Sequence, residues 1–348
     1  MSIMNLFLSF QRNQQSEVGA QATDFGRAID EINRMLSWRL SHDPIMEDEA
    51  ESDKDPKVRH ETRAKIFLGY TSNMISCGTR ETIRFLVKHK LVDVIVTTCG
   101  GIEEDFIKCM GDFQVGDFNL PGTVLRERGQ NRIGNILVSN DLYCKFEEFM
   151  TPILLRMLKE QKEDKTVWSP SKMIHLMGEI INNPDSVYYW CYKNNIPVFC
   201  PAITDGAIGD NIFFFNDQHP GLVLDLVQDI SLINWEALHA KKTGMIICGG
   251  GVIKHHIANA NLMRNGADFS VYINTGNEKE ASDTGASPDE AVSWGKITQE
   301  AKPVKVWGDF TILFPLIVSQ TFAKSIYSPL SEDHRRMPVE ENKEEKHE

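Results

Sequence analysis

Short apolar runs alternate with amphipathic stretches along most of this chain, and that alternation limits its fold more than any other feature. The runs are Lys65–Gly69, Val92–Thr97, Val198–Cys200, Met245–Cys248, Asp268–Asn274 and Val304–Trp307. Between them, apolar residues recur at helical steps over Thr79–His89, Ile102–Met110, Phe149–Gln161, Ser171–Asn182, Asp185–Lys193, Leu222–His239 and Thr311–Lys324, with Pro184 placed at a helix start. Strands this short and apolar, separated by helices, form a parallel sheet covered on both faces. With 348 residues, two domains or one large α/β domain would fit. Pockets in such a sheet open at the carboxyl ends of the strands. The loops there are Thr71–Ser76, Thr97–Asp105, Pro201–Asp210 and Gly276–Pro288, and the bland reading of the first two is a pair of ordinary turns.

Elsewhere the pattern is weaker. Thr23–Leu40 reads as an amphipathic helix capped by Asp24, with Phe25, Ile29, Ile32, Leu36 and Leu40 on one face. Residues 42–58 read as a mobile acidic linker carrying Pro44 and Pro56, and Gly111–Asn140, with five glycines, as an irregular surface excursion. The balance of 37 basic against 49 acidic residues gives a net charge of −12, which disfavours nucleic acid and suits a cationic ligand. Seven widely spaced cysteines without a C-x-x-C pair favour reduced thiols in the cytoplasm. The apolar start MSIMNLFLSF is too short for a secretory core, and no run of about 18 apolar residues suggests a membrane span.

The chemistry concentrates between Met245 and Ile297. A strand runs into Gly249, Gly250 and Gly251, where the backbone can turn sharply beside a ligand, and a helix follows with Ile253, Ile257, Ala260 and Leu262 on one side. The dinucleotide fingerprint G-x-G-x-x-G is incomplete, because Lys254 stands where the last glycine belongs. His255 and His256 point about 100° apart on a helix and cannot share a metal, so no metal site is expected. One of them can move protons in a pocket; packing or surface placement of both is the alternative.

Carboxylates gather on the strand-end loops: Glu103, Glu104, Asp205, Asp210, Asp283, Glu290 and Asp309. So many acids repel one another unless a polycation, such as an oligoamine, neutralises them. Trp294, one helical turn after Glu290, offers either a cation–π face or core packing. Lys296 is the nucleophile candidate, and because acids around it would stabilise its ammonium, it needs a proton acceptor such as Glu290 or His255.

The strings GGGVIKHHIANANLMRNGAD, PDEAVSWGKI, NRIGN (Asn131–Asn135), IFLGYTSN (Ile66–Asn73) and NNPDSVYYW (Asn182–Trp190) are long and specific, and through them the chain from about Gln21 to Ala323 resembles the deoxyhypusine synthases. The resemblance implies one large Rossmann-like, doubly wound α/β domain over residues 21–327, between a variable segment 1–20 and a charged, disordered tail 328–348. It implies a homotetramer with active sites at dimer interfaces. It implies that NAD oxidises spermidine beside its secondary amine, that an enzyme lysine takes up the aminobutyl group as 1,3-diaminopropane leaves, and that a lysine of the translation factor 5A precursor receives the group.

On this resemblance Lys296 is the covalent lysine, His255 the proton-transfer group, and Asn259 its support, with Glu290 also in the catalytic set. Glu103, Glu104, Asp210, His255, Ser282, Asp283, Glu290 and Trp294 would hold spermidine. Ser72, Asn73, Met74, Ile75, Ser76, Thr98, Cys99, Gly100, Glu104, Asp205, Gly250, Thr275, Gly276, Asp309 and Phe310 would line the NAD site. Cys99 replaces a common alanine, Glu280 an aspartate and Ala281 a glycine, and the family's N-terminal extension is shortened. Two other readings are a homospermidine synthase that uses putrescine as acceptor, and a non-catalytic activating subunit, which loss of Lys296 would have marked.

Overall fold

The computed structural model describes residues 18–327; the expectations for residues 1–17 and 328–348 lie outside the described residues. Six parallel strands make the main sheet: β1 (Lys65–Tyr70), β2 (Val94–Thr97), β6 (Val198–Phe199), β7 (Thr243–Cys248), β8 (Phe269–Asn274) and β9 (Val304–Trp307), in the order β6-β2-β1-β7-β8-β9. Alternate side chains of a strand point to opposite faces. Thus Phe67, Val96, Met245 and Ile247 enter one core with Ile253 and Ile257 of the helix Val252–Leu262 and Ile233 of the helix Leu226–Leu238. Leu68, Ile95, Ile246 and Val271 enter the other, beneath the helices Ala20–Ser37, Arg80–Lys88, Cys99–Lys108, Asn140–Glu163, Pro170–Ile181 and Phe310–Gln320. Helices therefore cover both faces of a doubly wound sheet, as expected.

The chain proceeds outward from β1 through β2 to β6, then returns to lay β7 on the other side of β1 and proceeds outward through β8 to β9. The order reverses between β1 and β7, and in sheets of this kind ligands bind at the carboxyl ends of the strands beside such a reversal. Thr71 and Gly249 meet there: the Thr71 amide donates to the Cys248 carbonyl at 3.3 Å, and a Cβ on Gly249 (φ +112°) would stand 2.9 Å from the Thr71 methyl.

Several local expectations are corrected. Residues 99–105 are not loop: the helix begins at Cys99, because Gly101 lets its first turn sit on the end of β2, where a Cβ would meet Thr97 Oγ1 at 2.2 Å. The loop from Pro201 ends sooner than expected, and Asp210 lies in the first turn of a helix, Ala207–Gln218. Asp24 is inside the helix Ala20–Ser37, which starts after Gly19. Pro184 precedes the helix Val187–Lys193, whose cap is Ser186. The closing helix is broken at Thr321 into Phe310–Gln320 and Phe322–Tyr327. By length and composition alone this stretch could cross a membrane, but Phe314, Ile317, Val318 and Phe322 pack into the core.

Residues 111–140 hold a small antiparallel sheet of β3 (Gln114–Val115), β4 (Gln130–Ile133) and β5 (Ile136–Ser139), in the order β3-β5-β4. Ile133 pairs with Ile136 across the two-residue turn Gly134-Asn135, with Gly134 at φ +61°. Residues 42–58, expected to be a bare linker, fold onto the domain through the short helices Glu51–Lys54 and Pro56–Glu61. The buried Arg59 guanidinium gathers them, donating to the Glu49 carboxylate at 2.7 Å and to the carbonyls of Leu40 and Asp43 at 2.9 and 2.7 Å.

Candidate active site

The helices after β2 and β6 carry one group of acids. The helix Cys99–Lys108, leaving β2, carries Glu103 and Glu104 almost fully buried. Ser76, at the end of the single helical turn Asn73–Ser76 after β1, donates its hydroxyl to Glu104. Lys108 fastens that turn by donating to the carbonyls of Ile75 and Cys77 at 2.7 and 3.2 Å. Burial, with Glu103 adding to it, raises Glu104 to about 7 against the pull of the Ser76 hydrogen bond. Glu103 is also pushed upward by burial, although it accepts the Ile208 amide at 2.9 Å and the Cys99 thiol at 3.4 Å. Gly206 is the residue that lets Glu103 lie here, since a Cβ would stand 2.7 and 2.8 Å from its two oxygens. Asp210 adds its charge to Glu103 from the neighbouring helix. Behind this group Asp105, fully buried, pairs with Arg80 Nε at 2.7 Å and accepts the Ser186 hydroxyl at 2.5 Å and the Val187 amide at 3.0 Å.

The segment between β8 and β9 carries the lysine. The Gly251 amide donates to the Asp283 carbonyl at 2.7 Å, and a Cβ on Gly250 would meet Thr284 Oγ1 at 2.5 Å, so the loop through Asp283 lies directly on the glycine turn. Ser282 donates its hydroxyl to Glu290, in the helix Pro288–Ser293. Lys254, His255, Tyr272, Ser282, Glu290, Trp294 and Lys296 line one small depression. Trp294 is 63% exposed, which decides against core packing, and the Lys296 ammonium lies 5.4 Å from its ring centre. Burial first, then the charges of Lys296 and Lys254, hold His255 below its ordinary value of 6.5, so its ring is neutral near pH 7.

The remaining expected residues divide by exposure. Asn73, Asp205, Asn259, Thr275, Asp283 and Asp309 are exposed at the strand ends or beside them, whereas Met74 and Ile75 are core side chains that leave only backbone for a ligand. Thr98 Oγ1 is buried without a partner at the end of β2. Ser72 packs against Gly100, whose Cβ would lie 3.0 Å from the Ser72 Cβ. A glycine-lined switch point, an unpartnered hydroxyl and carboxylates at Asp205 and Asp309 suit the phosphates and ribose hydroxyls of a dinucleotide. Phe310 starts the helix capped by Asp309, and Gly276 is buried beneath the loop.

The expected acids fall in two groups along the chain. Glu103, Glu104 and Asp210 lie on the helices after β2 and β6; Asp283, Glu290 and Lys296 lie between β8 and β9. Lys254 is the residue that spacing did not nominate.

A family model described as deoxyhypusine synthase matches residues 12–321. The chain belongs to the deoxyhypusine synthase family. A deoxyhypusine synthase of Senecio vernalis is 58% identical over 307 residues, 88% of this chain and 83% of that one. A homospermidine synthase of Senecio vulgaris is 57% identical over 309 residues, 88% of this chain and 83% of its own. In the crystal, a protein from Entamoeba histolytica assigned to deoxyhypusine synthase has the same fold, with a TM-score of 0.66, 35% identity and coverage of 93% of this chain and 94% of that one. Membership makes the chain an enzyme of the deoxyhypusine synthase type, built on a six-stranded parallel sheet.

Proposed function

We propose that this chain uses NAD to transfer the 4-aminobutyl group of spermidine to a lysine of the translation factor 5A precursor. The observation that carries the reading is the depression in which Lys296, Trp294, His255 and Glu290 meet. When bound, NAD supplies a hydride acceptor and later returns the hydride. The Thr71–Ser76 turn, Gly249–Gly251, the Thr98 hydroxyl, Asp205 and Asp309 would hold it at the switch point.

The chain's own groups perform the transfer. Glu290 and Asp283 attract a substrate ammonium, and the exposed face of Trp294 lies along its path. His255, neutral near pH 7, accepts a proton as Lys296 becomes an amine. That amine bonds to the oxidised carbon of spermidine, the bond to the departing nitrogen breaks, and 1,3-diaminopropane leaves with a proton. The acceptor lysine repeats the exchange and frees Lys296.

Glu103, Glu104 and Asp210 lie on the helices after β2 and β6 and Lys296 lies after β8, and in a homotetramer with active sites at dimer interfaces the acidic half of one protomer faces the lysine half of its partner. Exposed apolar side chains, Phe213, Phe214, Val227, Ile230, Trp235 and Ile312, support such an assembly. The seven described cysteines are all free, consistent with a cytoplasmic setting.

The similarity to a homospermidine synthase keeps putrescine as a second acceptor. Labelled spermidine given to the enzyme with NAD and both acceptors separates the two. Label in the 5A precursor supports the first reading, and label in putrescine alone replaces it with the second.

A further inference from the structure

Lys254 occupies an unfavourable place for a cation. It is the third residue of the helix Val252–Leu262, where the dipole repels positive charge, and only 6% of it is exposed. Its ammonium donates to the Ser282 carbonyl at 2.8 Å and lies 5.4 Å from the centre of the Tyr272 ring. A buried lysine persists where its donors are satisfied and opposite charge is close. Here Asp283 and Glu290 supply that charge, while Lys296 and Lys305 oppose it.

The hold on Ser282 reaches further. The same residue gives its hydroxyl to Glu290, so the ammonium, the Ser282 backbone and the Glu290 carboxylate form one relay. The loop is anchored elsewhere by the Gly251 amide on the Asp283 carbonyl and by Lys305 on the carbonyls of Gly276 and Gly285.

We propose that Lys254 is a positioning residue for the transfer reaction: its ammonium fastens the loop bearing Ser282 and Asp283 to the helix bearing His255 and, through the Ser282 hydroxyl, sets Glu290 toward the substrate amine. This rests on the function proposed above. The same ammonium adds positive charge beside His255 and so resists protonation of that ring, together with Lys296 and against Asp283 and Glu290.

The test uses the full-length enzyme with NAD, spermidine and the 5A precursor, and compares wild type with Lys254→Met, Lys254→Arg and Ser282→Ala. Lys254→Met is expected to raise KM for spermidine about tenfold and to move the acid limb of the pH–rate profile to higher pH, because His255 loses a cationic neighbour. Lys254→Arg keeps the charge and is expected to return the limb to its wild-type position. Ser282→Ala is expected to raise KM and leave the limb in place. Wild-type KM and limb in Lys254→Met overturn the proposal, as does a limb that moves equally in the Met and Arg variants. Should Lys254→Met fail to fold, an unchanged KM in Ser282→Ala overturns the relay. Absence of any transfer by wild type refutes the proposed function instead, and is read first.

Discussion

The Lys296 ammonium lies 5.4 Å from the centre of the Trp294 ring, and Gly295 between them takes φ +73°, so the chain reverses just where the amine is presented. A cation over an indole face gains about 0.5 to 2 kcal/mol, with the low end fitting a ring this exposed. Lys296→Ala is expected to abolish aminobutyl transfer while leaving NAD binding intact. Lys296→Arg is expected to fail equally, since a guanidinium does not give up its proton near neutral pH. Borohydride reduction followed by mass spectrometry checks both, through loss of the aminobutyl adduct.

His255 is held below 6.5, by burial first and then by Lys296 and Lys254. Between that lowered value and 6.5 the unfolded chain binds a proton that the folded chain refuses, so stability declines as pH falls through this window. Formation of the enzyme adduct should accordingly persist below pH 6.5, and His255→Gln should slow it and remove its acid limb. Single-turnover rates across pH measure this.

Glu104 behaves in the opposite sense. Burial raises it to about 7, so from its ordinary 4.5 upward the folded chain keeps a proton that the unfolded chain has released. Stability of the amine-free protein falls as pH rises through that range, while the site gains a negative charge. Spermidine affinity is expected to increase as pH passes 7 and to lose that dependence in Glu104→Gln. Calorimetric titrations on either side of that pH decide.

Gly206→Ala should separate binding from stability. The backbone there is extended (φ 166°), which alanine tolerates, but the new methyl would stand 2.7 Å from Glu103 and 3.0 Å from the Cys99 sulfur. Displacement of the carboxylate is expected to weaken spermidine binding about tenfold while the melting temperature changes little.

Arg80→Met removes the partner of a fully buried Asp105. The stranded charge is expected to cost about 3 to 5 kcal/mol of stability. Chemical denaturation should record it.

The strands were legible because a parallel sheet buries both faces and leaves continuous apolar runs: β9 was read residue for residue, and β7 and β8 within a residue or two at the start. Glycines misled elsewhere. Gly100-Gly101 and Gly206 resemble turns, yet each permits a helix to begin against a strand end or a carboxylate. Gly134-Asn135 carried a hairpin signal that five scattered glycines obscured. Pairs such as Ser76–Glu104 and Ser282–Glu290 have no sequence period, because they join different elements. Lys254 was visible only as a missing glycine, and what it grips depends on a loop nearly thirty positions away.

The neighbourhood of β1 and β7 also sets the order in which this molecule can be built. Lys65–Tyr70 has its full-length partner only in Thr243–Cys248, so a chain emerging from the ribosome holds the first strand with that edge open until most of the domain has been synthesised. The reversal of strand order between those two strands comes into being with their late union. An incomplete chain ending before Thr243 would expose an apolar strand edge and lack Lys296, which ties protection from aggregation and acquisition of catalysis to the same event.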